Sequence, residues 1–108
     1  MTRYFSLVLE AGRALDDDGE PTAWATCPDL PGAYEEAPTP DEARDRLRAL
    51  ARHIIAEHLL REDPLDPAVI AHVAPAEDGA DRLAVAITDD DLAAIRAMPL
   101  LAIEQPEP

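Results

Sequence analysis

Residues 27–43 read Cys27-Pro28-Asp29-Leu30-Pro31-Gly32-Ala33-Tyr34-Glu35-Glu36-Ala37-Pro38-Thr39-Pro40-Asp41-Glu42-Ala43. The first half cannot continue a β-ladder, because two prolines each lack an N–H donor and Gly32 permits a tight change of direction. The second half starts a helix. Thr39 is an N-cap residue, Pro40 suits the first helical position, and Asp41 and Glu42 place acids at the positive end of the helix dipole, with Glu42 placed to complete a capping box. Between them, residues 33–36 have room for one short strand.

Downstream of the cap, Ala43, Leu47, Leu50, Ala51, Ile54, Ile55 and Leu59 recur at spacings of three and four, which turns one stripe of the helix toward a core. Arg44, Arg46, Arg48, Arg52 and Arg61 lie mostly off that stripe, and Asp63-Pro64 ends the helix. Upstream, residues 3–10 alternate, with Phe5, Leu7 and Leu9 on one side, the period-two mark of a half-buried strand. Asp16-Asp17-Asp18-Gly19 supplies a turn and Thr22 to Cys27 a second strand. Leu83, Val85 and Ile87 alternate with Ala84 and Ala86 as a further strand, and Thr88-Asp89-Asp90-Asp91 caps a short helix through Met98, stopped by Pro99. Residues 65–81 are too long a stretch to lack structure in a compact domain. Either a short helix from Asp66-Pro67 through Val73, or a strand over Val69 to Val73 paired with the strand that follows, fills it.

The predicted fold is α+β: a three-stranded antiparallel sheet crossed by one long helix, with a fourth strand and a short C-terminal helix. Residues 1–64 form its β-β-β-α core, residues 65–98 complete the same domain, and residues 99–108 form a disordered acidic, proline-containing tail. At 108 residues, one domain is the default, and with aromatics only 4% of the chain its core must be built from Leu, Ile, Val and Ala.

Charge narrows the function. The net charge is −14, with eight acids against two arginines in residues 1–39, five against five in residues 40–62, and ten against two in residues 63–108. Such a field repels phosphate backbones, which argues against direct nucleic-acid binding, and it attracts a basic partner. Cys27 is the single cysteine, so neither an internal disulfide nor a multi-cysteine metal site is open to the chain. The N-terminal segment has no signal-peptide apolar run and no stretch approaches the ~20 apolar residues of a membrane span, so a cytoplasmic location is expected.

Chemistry-bearing residues have duller readings. Asp16 to Asp18 read as a hairpin turn and Asp89 to Asp91 as a helix cap rather than as two-metal ligands. His53 and His58 are five residues apart and so lie on different helix faces. Cys27 lacks an evident base. No catalytic residue, metal or cofactor is expected, and the chain does not read as an enzyme. Trp24 and Tyr34 stand out, two of only four aromatic residues, flanking the turn. With Asp29, Leu30, Glu35 and Glu36 they form the candidate partner-binding set, since Trp and Tyr are favoured interface anchors and the acids complement a basic surface.

The run Cys27-Pro28-Asp29-Leu30-Pro31-Gly32-Ala33, followed by Thr39 and a helix opening Asp41-Glu42-Ala43, resembles the HicB antitoxin signature over roughly residues 3–64. Ala33 stands where that signature carries Cys, and Ala37-Pro38 replaces its Gly-Asp. The resemblance implies a partial ribonuclease H-like fold and a HicA-type partner, a small basic messenger-RNA interferase whose RNA-binding face the acidic domain covers. A homodimer or higher oligomer is also expected, because sheet edges invite pairing. An alternative is a stand-alone HicB-like homo-oligomer with a structural or small-ligand role.

Overall fold

The computed structural model describes residues 2–72, 74–75 and 77–97. Within them the order is β1 (Arg3–Val8), β2 (Glu10–Leu15), β3 (Pro21–Thr26), β4 (Tyr34–Ala37), α1 (Pro40–Arg61), β5 (Ile70–His72), β6 (Arg82–Ile87) and α2 (Asp89–Arg96). The chain is α+β. Two antiparallel three-stranded sheets, ordered β5-β1-β6 and β2-β3-β4, share the N-terminal run of chain. The expected strand over residues 3–10 divides at Leu9 and continues to Leu15. Its first half pairs Phe5 with Val85 and Leu7 with Leu83, and its second half pairs Gly12 with Trp24. Leu9 N–H donates to Asp81 O at 2.8 Å, which marks the changeover.

The β2–β3 turn is held by the Asp16 carboxylate, whose Oδ1 accepts from the amides of Asp18 and Glu20, each at 2.9 Å, while Gly19 takes the positive φ the turn needs. Between β3 and β4 the two-proline run makes a compact double turn. Leu30 N–H donates to Cys27 O at 3.0 Å, Ala33 N–H to Leu30 O at 3.0 Å, and Gly32 sits at φ 87°. The turn aims Leu30 inward, where it is 2% exposed.

At the start of α1 the Thr39 hydroxyl accepts from Glu42 N–H at 3.2 Å and donates to Glu42 Oε1 at 3.1 Å, so Glu42 returns to the cap side chain. The reciprocal form of the box occurs at α2, where Asp91 N–H donates to the Thr88 hydroxyl and Thr88 N–H to Asp91 Oδ2. Helix α1 ends with Glu62 in the left-handed region at φ 58°.

The core joins Phe5, Leu7 and Leu9 to Leu83, Val85 and Ile87 and to Ala43, Leu47, Ala51, Ile55 and Ala56 of α1. Under the β2-β3-β4 sheet the contact is made of alanines. Ala23, Ala25 and Ala37 oppose α1, and their small size lets the helix approach closely. Of the predicted stripe, Ile54 and Leu59 are only partly buried against the core, and Leu50, also partly buried, stands outside the cluster.

Residues 65–81 hold a strand, β5, but its partner is not the strand that follows. It pairs with β1, setting Phe5 opposite Ala71 and Ser6 opposite Ile70. The short-helix reading of this segment is therefore wrong, and so is the β5–β6 pairing: β1 takes β6 on one edge and β5 on the other. Val73, Met98, Pro99 and the proposed tail lie outside the described residues.

Candidate functional site

Alternation along β3 decides which side chains face away from the helix. Ala23 and Ala25 are each 1% exposed against the core, so Thr22, Trp24 and Thr26 project from the outer face of the sheet. The register then assembles two cross-strand rows on that face: Gly12, Trp24 and Glu36 in one, and Glu10, Thr26 and Tyr34 in the other.

Trp24 and Tyr34 stack with ring centroids 6.5 Å apart and planes 14° from parallel. The Tyr34 hydroxyl donates to Glu36 Oε2 at 2.6 Å, and that bond, with burial and the charge of Glu36 adding to it, raises the phenol above its usual pKa. Toward β2 the indole rests on Gly12: a Cβ there would meet Trp24 Cζ2 at 2.7 Å and Cε2 at 2.8 Å. Glycine lets the aromatic lie flat across the strand. On the far side, Arg46 Nη1 donates to Glu36 O at 2.9 Å and ties the β4 edge to α1. Tyr34 is 49% exposed and Trp24 is half-buried, outside the core cluster.

The six candidate residues therefore separate. Trp24, Tyr34 and Glu36 meet on one face. Glu35 has the opposite alternation, in register with Ala25, and does not share it. Asp29 and Leu30 line a different cleft of about 320 Å³, with Pro31, His58, Pro64 and Asp66 among its other walls. Leu30 offers its buried side chain to the core rather than to a partner. Gly12 is the residue sequence reading missed. A lone glycine within Glu10–Leu15 signals close approach, but the apolar alternation that marks the strand in sequence stops at Glu10.

The other chemistry-bearing groups are engaged locally. Cys27 is buried, and desolvation, with the nearby Asp29 charge adding to it, pushes its thiol up to about 11, so it is neither a ready nucleophile nor a ready metal ligand. His53 Nε2 lies 3.5 Å from Glu57 Oε2, one turn along the same helix. Among the described residues no group of three His, Cys, Asp or Glu side chains is placed to hold a metal ion, and no helix is long and apolar enough to cross a membrane.

Fold and face together define a small acidic α+β domain that presents a stacked aromatic pair tied to a carboxylate. No protein-family model, curated protein or solved structure matches this chain.

Proposed function

We propose that the chain is a HicB-like antitoxin-type binding module, which neutralises a basic HicA-type messenger-RNA interferase by covering its RNA-binding face. The observation that carries this reading is the Trp24–Tyr34 stack on the outer face of the sheet, half-buried at Trp24 and exposed at Tyr34, with Glu36 bonded to it, on a protein of net charge −14. A rigid aromatic pair supplies contact area at little entropic cost, while the surrounding acids attract a basic partner and repel RNA. Binding would be the whole activity, with no cofactor and no direct contact to nucleic acid, in the reducing cytoplasm that a single thiol suits.

The test is association with a small basic HicA-type interferase, measured against salt, using whichever such protein a neighbouring reading frame is found to encode. Complex formation that rescues growth from that protein's toxicity supports the proposal; a lack of both overturns it.

A second reading, a stand-alone homo-oligomer, is favoured by β2. It lies at a sheet edge, exposes both faces apart from Gly12, and leaves Leu15 69% exposed. Sedimentation of the chain with and without a small basic interferase distinguishes the two, since the stand-alone reading requires a self-association that the basic protein leaves unchanged, whereas the antitoxin-type reading requires a mixed complex.

A further inference from the structure

Helix α1 carries Arg44, Arg48 and Arg52 one turn apart, on the stripe that faces strand β6. Part of their role is to close the β6 edge. Arg44 Nη1 donates to Arg82 O at 3.4 Å, Ala84 N–H donates to Asp78 Oδ1 at 2.8 Å, and Arg52 Nε donates to Ala86 O at 3.3 Å. Asp78 in turn accepts from Arg48 Nη2 at 2.6 Å and lies 3.7 Å from Arg44 Nη1. At Arg82, Ala84 and Ala86, one outward backbone group each is thus bonded to a side chain.

That stitching does not consume all the donors. Among the described residues, buried Arg48 Nη1 has no acceptor, and Arg52 bonds through Nε alone. Both side chains line a pocket of about 220 Å³, walled by Tyr4, Pro75 and the β6 segment Ala84 to Ala86, with no carboxylate among the described residues of its lining. Among the described residues, the three guanidinium groups are matched by one carboxylate partner, that of Asp78, an excess of two positive charges. A buried guanidinium N–H without an acceptor is costly, so a ligand that supplies one is favoured.

We propose that this pocket binds a phosphate monoester, its oxygens bridging Arg48 and Arg52 and its organic group lying against Tyr4 and Pro75. A phosphate monoester carries about −2 at pH 7, which matches the local excess. The chain's overall negative charge opposes any anion, but at physiological salt that field is screened beyond about 8 Å, whereas the arginines make direct contact. This site is independent of the aromatic face and of the antitoxin reading.

The experiment is calorimetric titration of the full-length chain with phenyl phosphate, inorganic phosphate and phenol at constant ionic strength, repeated on Arg52→Gln, Arg48→Gln and Arg61→Gln. Arg52→Gln leaves the Asp78 ion pairs intact, and Arg61 lies at the far end of the same helix. The proposal expects saturable one-to-one binding of phenyl phosphate, tighter than that of inorganic phosphate and undetectable for phenol. Arg48→Gln and Arg52→Gln should each weaken it about tenfold or more, the value of a charged hydrogen bond, and Arg61→Gln should leave it unchanged. A melting temperature raised by phenyl phosphate in the parent and in Arg61→Gln, but not in Arg52→Gln, reports the same site through the folded state. Non-saturable binding, phenol binding as well as phenyl phosphate, or equal affinity in parent and Arg52→Gln overturns it.

Discussion

Gly12→Ala tests the geometry of the aromatic face with one methyl group. The added Cβ falls 2.7 Å from Trp24 Cζ2, 2.8 Å from Cε2 and 2.9 Å from Nε1. Carbon atoms in ordinary contact sit about 3.5–4.0 Å apart, so the indole must retreat by roughly 1 Å. It cannot do so without disturbing its stack on Tyr34, and such a pair contributes about 0.5–1.5 kcal/mol beyond its buried area. Overpacking of this kind costs about 1–3 kcal/mol, against a gain of roughly 0.5–1 kcal/mol from replacing a flexible glycine in a strand. The clash wins, and the net loss is about 1–2 kcal/mol. For a domain of this size that lowers the melting temperature by roughly 5–10 °C. Because Trp24 is the single tryptophan, its emission should shift to the red as the ring lifts into water. A melt as high as the parent's, with unchanged emission, would refute the seating of the indole on Gly12.

Other substitutions and conditions probe the rest. Leu47 is fully buried, so Leu47→Asp should abolish the cooperative melt, since an unpaired buried carboxylate costs several kcal/mol against a total of about 5–15. Ile54→Asp should leave a weakened but cooperative transition, because Ile54 is only partly buried; equal losses in the two variants would contradict that ranking. With its thiol at about 11, Cys27 should react at pH 8 with a disulfide reagent only as fast as the domain opens, and rapid labelling of the native protein would show the site to be open. Burial alone would push the Asp78 carboxyl up, but the Ala84 amide and the Arg48 and Arg44 guanidiniums outweigh it and hold it below its usual value. Its contribution is therefore complete above the ordinary carboxylate range and fades as pH falls below about 4. Asp78→Asn should flatten the acid limb of the stability curve, by under about 1 kcal/mol given that the side chain is 40% exposed, and an unchanged limb would remove the ion pairs from the account.

Helix α1 was legible because cap, dipole and apolar period agree over one contiguous stretch, the condition under which local sequence specifies structure. Strand β2 was not. Ala11-Gly12-Arg13-Ala14 has no strand propensity of its own and is extended because β3 pairs with it, a tertiary choice. Strand β5 likewise takes its partner from β1, more than sixty residues away in sequence, which no local pattern records. The outer position of Trp24 follows from alternation with Ala23, Ala25 and Cys27, whose small side chains admit the helix. Leu30 misled for the converse reason: an apolar residue inside a polar-looking turn suggests a surface anchor, yet the double turn folds it into the core. The pairing of Arg48 and Arg52 with β6 depends on where the last strand docks, so the sequence showed the arginines without their pocket.

The central claim is that the Trp24–Tyr34–Glu36 face holds a basic protein partner. Its most direct measure is the association and dissociation kinetics of this chain with a purified small basic HicA-type interferase, across a series of salt concentrations. Association should slow as salt rises and be slower for Glu36→Gln at low salt, and Trp24→Ala should dissociate faster with little change in its association rate. No complex with that interferase, or a complex whose rates are the same in the parent, Glu36→Gln and Trp24→Ala, would rule the partner face out.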